Sequence, residues 1–277
     1  SESKTIEPII QRYAQQQGAV VEMHYSGSVD MMLDMMQPEF KYDAVMPANS
    51  MWIRLGDKDL HRVTEEANIM RSPVVLGVKK AKAAELGWIG TDVTVDMILE
   101  AVRSGQLGFA MTSATQSNSG ASAYLGLLTA LAGSPEVLTS EHLKDPALQQ
   151  DIRDIFGGID RSSGSSGWLK DMFLERYDYL DAMFNYEAMI IAVNQQLVRQ
   201  GRDPLYVIYP VDGQAIADPT LGFVKKADNQ HKLEFFMGLR DYLLTPAVQQ
   251  EISNTGFRAG LIGMNTEGAD KLIFNPD

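Results

Sequence analysis

Four short runs of hydroxyl, amide and glycine residues carry the most legible chemistry of this chain. They are Ser26-Gly27-Ser28, Asn49-Ser50, Thr115-Gln116-Ser117-Asn118-Ser119-Gly120 and Ser162-Ser163-Gly164-Ser165-Ser166-Gly167. Serine and threonine hydroxyls and the asparagine and glutamine amides all donate hydrogen bonds. Where such a run opens a helix, the exposed N–H groups and the helix dipole add about half a positive charge. A small anion is then a suitable ligand without any lysine or arginine. The same residue types also cap helices, so one such turn is ordinary. Four of them, each where a strand hands over to a helix, point to one small molecule held between them, because that is where open α/β sheets bind ligands.

Other polar groups are open to two readings. Glu187 sits in the apolar run FNYEAMIIAV, where it either contacts a ligand N–H or serves as a helix-capping or ion-paired group. Arg161 and Arg258 either counter an anion or are surface charges. Met31, Met32, Met35 and Met36 recur at helical spacing and read as core packing rather than a soft-metal site.

Catalytic patterns are missing from the sequence. It has no G-x-S-x-G elbow, no G-x-x-x-x-G-K-[ST] loop, no H-E-x-x-H helix, no EF-hand loop and no G-x-G-x-x-G after a strand. There is no cysteine, which excludes disulfides, thiolate metal sites and a thiol nucleophile. The four histidines, His24, His61, His142 and His231, are scattered, so neither a metal nor another cofactor is expected. A net charge of -12 repels phosphate backbones and anionic lipid, which argues against nucleic acid as a partner. That charge does not oppose a small anion locally, where dipoles and hydroxyls decide.

The elements that must position these turns alternate between strand and helix. Ile6, Ile9, Ile10 and Tyr13 mark a helix over Lys4 to Gln17, and the valine-rich stretch Ala19 to Tyr25 predicts a strand ahead of the first turn. Helix Val29 to Met36, strand Tyr42 to Met46 and helix Met51 to Leu55 follow. Val74 to Lys79 reads as a buried strand, and Ala81 to Leu86 and Val95 to Ser104 as helices. Gly108 to Met111 feeds the third turn, which opens a helix of small residues over Ala121 to Ala132. Pro146 to Phe156 is helical. The fourth turn, RSSGSSG, reads either as a flexible linker or as the cap of helix Trp168 to Arg176. Phe184 to Val193 is a buried strand or helix start, followed by a helical stretch to Arg199. Strands are predicted at Leu205 to Tyr209 and Leu221 to Lys225, then helices over His231 to Leu244 and from Thr245-Pro246 to Ile252. This alternation predicts an α/β fold, and the 277 residues suffice for two lobes. No run approaches 18 apolar residues, so no membrane span is expected within the chain. Ser1 to Ile6 already reads as a helix entry, which leaves room upstream for an export signal, an anchor or a preceding strand.

With these segments in order, the chain resembles the type II periplasmic (extracellular) solute-binding proteins and is similar to their molybdate-binding branch. The likeness is carried by YSGSVDMMLDMM, YDAVMPANSMWI, SPVVLGVKK, TSATQSNSGASAYLGLLTALAG and TPAVQQEISNTGFR. It implies two α/β lobes joined by two crossing hinge strands, near Val74 to Lys79 and Leu221 to Lys225, with the ligand cleft between the lobes. Residues 1–78 with 220–277 would form one lobe and 79–219 the other. In molybdate-type relatives an oxyanion is held by backbone N–H groups and serine hydroxyls, and the matching positions here are Ser3, Ser28, Ser119 and Ser166, with Tyr186 near a ligand-contacting tyrosine. Gln116, Asn118 and Glu187 exceed what a bare oxyanion needs, so an organic anion or a sugar-like molecule stays open.

The resemblance further implies a monomeric, non-catalytic protein, periplasmic or extracellular, either free or anchored through a segment outside this chain. It would close on its solute and deliver it to the membrane permease of an ABC-type transporter. Two other readings remain: a bilobal sensory or protein-interaction module attached to a membrane or larger assembly, and an enzyme built on the same frame.

Overall fold

The computed structural model describes residues 2–260. Helix α1 (Glu2–Gln16) buries Ile6, Ile9, Ile10 and Ala14, a stripe at helical spacing, and ends at Gly18, whose φ of 65° is a left-handed value that glycine adopts without strain. Helix α2 (Ser28–Met35), strand β1 (Ala44–Val45), helix α3 (Met51–Gly56) and strands β2 (Val63–Asn68) and β3 (Met70–Lys79) follow. Next come α4 (Lys80–Glu85), α5 (Val95–Arg103), β4 (Phe109–Thr112), α6 (Asn118–Leu131), α7 (Ser140–Lys144), α8 (Pro146–Gly157) and β5 (Ile159–Ser163). The chain continues through α9 (Ser166–Glu175), β6 (Ala182–Tyr186), α10 (Glu187–Arg199), β7 (Leu205–Ile208) and β8 (Ile216–Ala217). It closes with β9 (Thr220–Val224), α11 (Leu233–Leu243), α12 (Pro246–Ser253) and β10 (Arg258–Ala259).

The described residues divide into two compact units, 2–72 with 217–260 and 73–216. Residues 261–277, the end of the first expected lobe, lie outside the described residues. Unit 1 holds an antiparallel sheet in the order β1-β9-β2, packed on Met35, Phe40, Val45, Ile53 and Val224. In unit 2, β3 pairs antiparallel with both β6 and β7, while β4 runs parallel to β6 on one side and to β5 on the other. Residues Val74 to Val78, expected in the first lobe, are tied into unit 2 by this pairing with β6. The core of unit 2 gathers Val75, Ala110, Phe173, Met183, Ile190 and Leu205, among others, between that sheet and helices α9 and α10.

Some expectations need correction. The stretch Ala19 to Tyr25 forms no strand and joins no sheet among the described residues. RSSGSSG is not a linker: Arg161, Ser162 and Ser163 pair with Ala110, Met111 and Thr112, and Ser165 then caps α9 by accepting from the Trp168 N–H at 3.3 Å. Of the two readings of Phe184 to Val193, both hold in succession, since β6 ends at Tyr186 and α10 starts at Glu187. The methionine segment is only partly core: Met35 is buried, but Met36 is exposed.

Candidate functional site

In unit 2 the parallel trio β5-β4-β6 sets the geometry. Each of its strands leads at its carboxyl end into a helix: β5 into α9, β4 into α6 and β6 into α10. Parallel pairing therefore puts three helix N-termini along one edge, the place where α/β sheets collect ligands. Helix α6 is drawn tight against the end of β4, since a Cβ on Gly120 would lie 2.3 Å from the Thr112 carbonyl oxygen. Only glycine permits this approach.

The third turn folds onto that edge as a hydroxyl cluster. The Ser119 and Thr112 hydroxyls are 2.7 Å apart, and Ser119 and Ser117 are 3.1 Å apart. Asn118 donates its amide N–H to the Tyr186 hydroxyl at 2.7 Å, which joins the start of α6 to the end of β6. Ser117, Asn118, Ser119, Ser166 and Tyr186 are all buried. The Ser117 side chain does not cap α6, in contrast to Ser165 on α9. The third and fourth turns are neighbours as well: the Ser113 N–H donates to the Ser163 carbonyl at 2.9 Å, and the Gln116 amide oxygen faces Gly164. Asn185 Nδ2 donates to the Ser166 carbonyl at 3.0 Å, completing the bridge between β6 and the start of α9. Thr115 and Gln116 are exposed at the rim.

Glu187 is fully buried at the first turn of α10 and accepts a short hydrogen bond from the Tyr209 hydroxyl. Its carboxylate places negative charge at that helix N-terminus from within the protein. The α10 end is thus served internally, which leaves the start of α6 as the centre of the polar edge.

In unit 1 the first two turns are tied together, because the buried Ser28 hydroxyl accepts from the Ala48 N–H at 3.0 Å. Asn49 Oδ1 accepts from the Met51 N–H at 2.9 Å, a local turn bond two residues along, just ahead of Ser50, the N-cap of α3. Ser50 donates its N–H and hydroxyl to the two carboxylate oxygens of Asp218, at 3.0 and 2.7 Å. Asp218 is far away in sequence, so nothing near Asn49-Ser50 revealed that this turn already holds a carboxylate. Ser26 is exposed, and Ser3, on α1, lines a separate cavity of the same unit with Ser26.

Sequence reasoning missed Thr112, Asn185, Tyr209 and Asp218. Thr112 and Asn185 were hidden as polar members of apolar strands, where a buried polar side chain needs a partner. That requirement is the signal that could have found them. Among the described residues, no three of His, Asp and Glu converge to hold a metal ion. No helix among them is long and apolar enough to cross a membrane.

No curated protein sequence matches the chain. Solved structures do match in fold. The sulfate-binding protein SubI from Mycobacterium tuberculosis H37Rv is 18% identical, with 97% of this chain and 87% of that chain covered and a TM-score of 0.68. The periplasmic binding protein AfuA from Actinobacillus pleuropneumoniae, solved with fructose-6-phosphate, is 10% identical, with coverage of 98% and 85% and a TM-score of 0.68. An ABC transporter solute-binding protein from Thermotoga lettingae, solved with α-D-tagatose, is 14% identical, with coverage of 91% and 76% and a TM-score of 0.60. The mixed α/β chain thus has the two-lobed periplasmic-binding-protein fold. The family model of the bacterial extracellular solute-binding proteins matches residues 2–258, and the chain belongs to that family.

Proposed function

We propose that this solute-binding protein captures a small oxyanion or an organic anion, in the manner of molybdate-type relatives, and hands it to the permease of an ABC-type transporter. It works as a non-catalytic monomer in the periplasm or at the cell exterior, free or anchored. The observation that carries the reading is the start of α6, where Ser117, Asn118 and Ser119 meet Thr112 and Tyr186 on the shared edge of three parallel strands. Hydroxyl and amide donors at a helix start favour negative charge, and no arginine or lysine is needed to supply it. Ser28 is the corresponding group of unit 1, and Ser166 and Tyr186 complete the set. Thr115 and Gln116, at the rim, suit a ligand larger than a tetrahedral oxyanion. We assign Asn49, Ser50 and Glu187 to positioning, since each is engaged within the protein. Capture proceeds by closure of the two units on the ligand.

Titration calorimetry with sulfate, phosphate, molybdate, tungstate, small carboxylates, a sugar phosphate and a neutral sugar tests the reading. Saturable binding of an anion, with a fall in the radius of gyration by small-angle scattering, is expected. Binding of the neutral sugar alone, or of nothing in the panel, would overturn it.

A further inference from the structure

Single exposed apolar side chains are ordinary on a protein surface, so only the place of one gives it meaning. Of the three tryptophans, Trp52 and Trp88 are 8% and 2% exposed, whereas Trp168 is 70% exposed. Trp168 is the third residue of α9, and α9 starts on the carboxyl edge of β5-β4-β6, where the proposed anion site lies. Leu169 and Phe173 of that helix are buried in the core of unit 2, so Trp168 stands on its outward side. A helical side chain leans back toward its own helix N-terminus, so the indole covers the turn ahead of it, at Gly164 and Ser165. There a Cβ on Gly164 would lie 3.6 Å from Gln116 Oε1, which brings the exposed rim of the third turn, Thr115 and Gln116, to the same place. The backbone beneath the indole is fixed, because Ser165 Oγ accepts from the Trp168 N–H at 3.3 Å and Asn185 Nδ2 donates to the Ser166 carbonyl at 3.0 Å. Tyr179 is also exposed, but it follows the far end of α9, just before β6 begins, away from that edge.

We infer that Trp168 is a specificity-determining residue, a stacking platform that selects an organic anion bearing a flat ring over a bare oxyanion. The inference rests on the anion reading given above and narrows its ligand class. The charged group meets Ser117, Asn118 and Ser119 at the start of α6, and the ring attached to it lies on the indole face. Hydroxyl and amide donors hold a charge but offer little to the face of a ring. An indole offers a broad apolar face on a side chain with only two rotatable bonds, so little freedom is lost when a ring stacks on it. Thr115 and Gln116, beside the same spot, are free to meet polar substituents of the ring.

The test is calorimetry with inorganic phosphate and phenyl phosphate on the wild-type chain and on Trp168→Ala and Trp168→Phe. Wild type is expected to bind phenyl phosphate about three- to tenfold tighter than phosphate, the worth of one aromatic pair. Trp168→Ala should remove that preference, and Trp168→Phe should restore most of it. Because the side chain is exposed, the urea midpoint of Trp168→Ala should match wild type, which separates lost stacking from a damaged fold. Phenyl phosphate should also shield tryptophan emission from the neutral quencher acrylamide more than phosphate does, since Trp52 and Trp88 are already buried. Equal affinities for the two anions in wild type, or a ring preference that survives Trp168→Ala, would overturn the inference and leave the anion reading standing. Binding of neither phosphate nor phenyl phosphate, nor of any other anion, would overturn that reading first and this inference with it.

Discussion

A hydroxyl is worth to a ligand only what its own protein has not already claimed. Ser50 gives both its N–H and its Oγ–H to Asp218, whereas Ser119 shares its hydroxyl with Thr112 and Ser117, whose own hydroxyls can turn. Ser119→Ala is therefore expected to weaken anion binding by about tenfold, the worth of one hydrogen bond to a charged group. Ser50→Ala should leave affinity within about twofold and cost about 1 kcal/mol of stability. Calorimetry and urea unfolding on both variants separate these outcomes; equal losses of affinity would contradict the assignment. A second residue-scale case is Asp43. Burial alone would raise its carboxyl, but hydrogen bonds from Lys232, Asn229 and Lys226 outweigh that and hold it well below the usual carboxylate range. A carboxyl depressed by folding contributes stability that is complete above about pH 4 and is lost as pH falls toward its folded value. Asp43→Asn should thus lower the urea midpoint at pH 7, with the gap from wild type narrowing steadily below about pH 4.

At the scale of elements, the proposed site depends on how closely α6 meets β4. Gly120→Ala would press a methyl group to 2.3 Å from the Thr112 carbonyl oxygen, which forces the helix outward. The expected cost is about 1–3 kcal/mol in urea unfolding, as for other overpacked interiors, together with weaker anion binding because Ser117 to Ser119 move with the helix. Retained affinity in a destabilised variant would detach the site from this contact. The same elements explain what could be read in advance. Helices α1, α6 and α11 announce themselves by apolar spacing, and β3, β4, β6 and β7 by apolar runs, because both kinds face a core. Strand β5 does not: its residues Asp160, Arg161 and Ser162 are exposed, and among the described residues β5 ends its sheet and pairs only with β4. Strand β2 hides likewise, with Glu65 and Glu66 exposed and Glu65 at a φ of 56° where its pairing with β9 is interrupted. The converse failure is Ala19 to Tyr25, which has a strand's composition but pairs with no strand among the described residues. The polar turns were legible as turns, yet the sequence could not sort those left open to the proposed ligand from those engaged within the protein. That distinction rests on Asp218 and Tyr209, partners brought close only by the fold.

For the whole molecule, the net charge of -12 and the proposed anionic ligand would act against each other at long range and not at the proposed site. Approach of an anion is slowed by the summed field, which salt screens over a Debye length of about 10 Å at 0.1 M. Once docked at the proposed site, the ligand would meet hydroxyls, amides and a helix N-terminus over distances too short for salt to screen. The association rate for an anion should therefore rise as ionic strength increases from about 0.01 M to 0.2 M, while the dissociation rate changes little. A protein that used a cluster of arginines would show the opposite trend. A neutral sugar would show none, because it carries no charge for the field to act on. Stopped-flow tryptophan fluorescence at several salt concentrations measures this directly. An association rate that falls with salt would place cationic side chains at the mouth of the site and displace the start of α6 as the source of attraction.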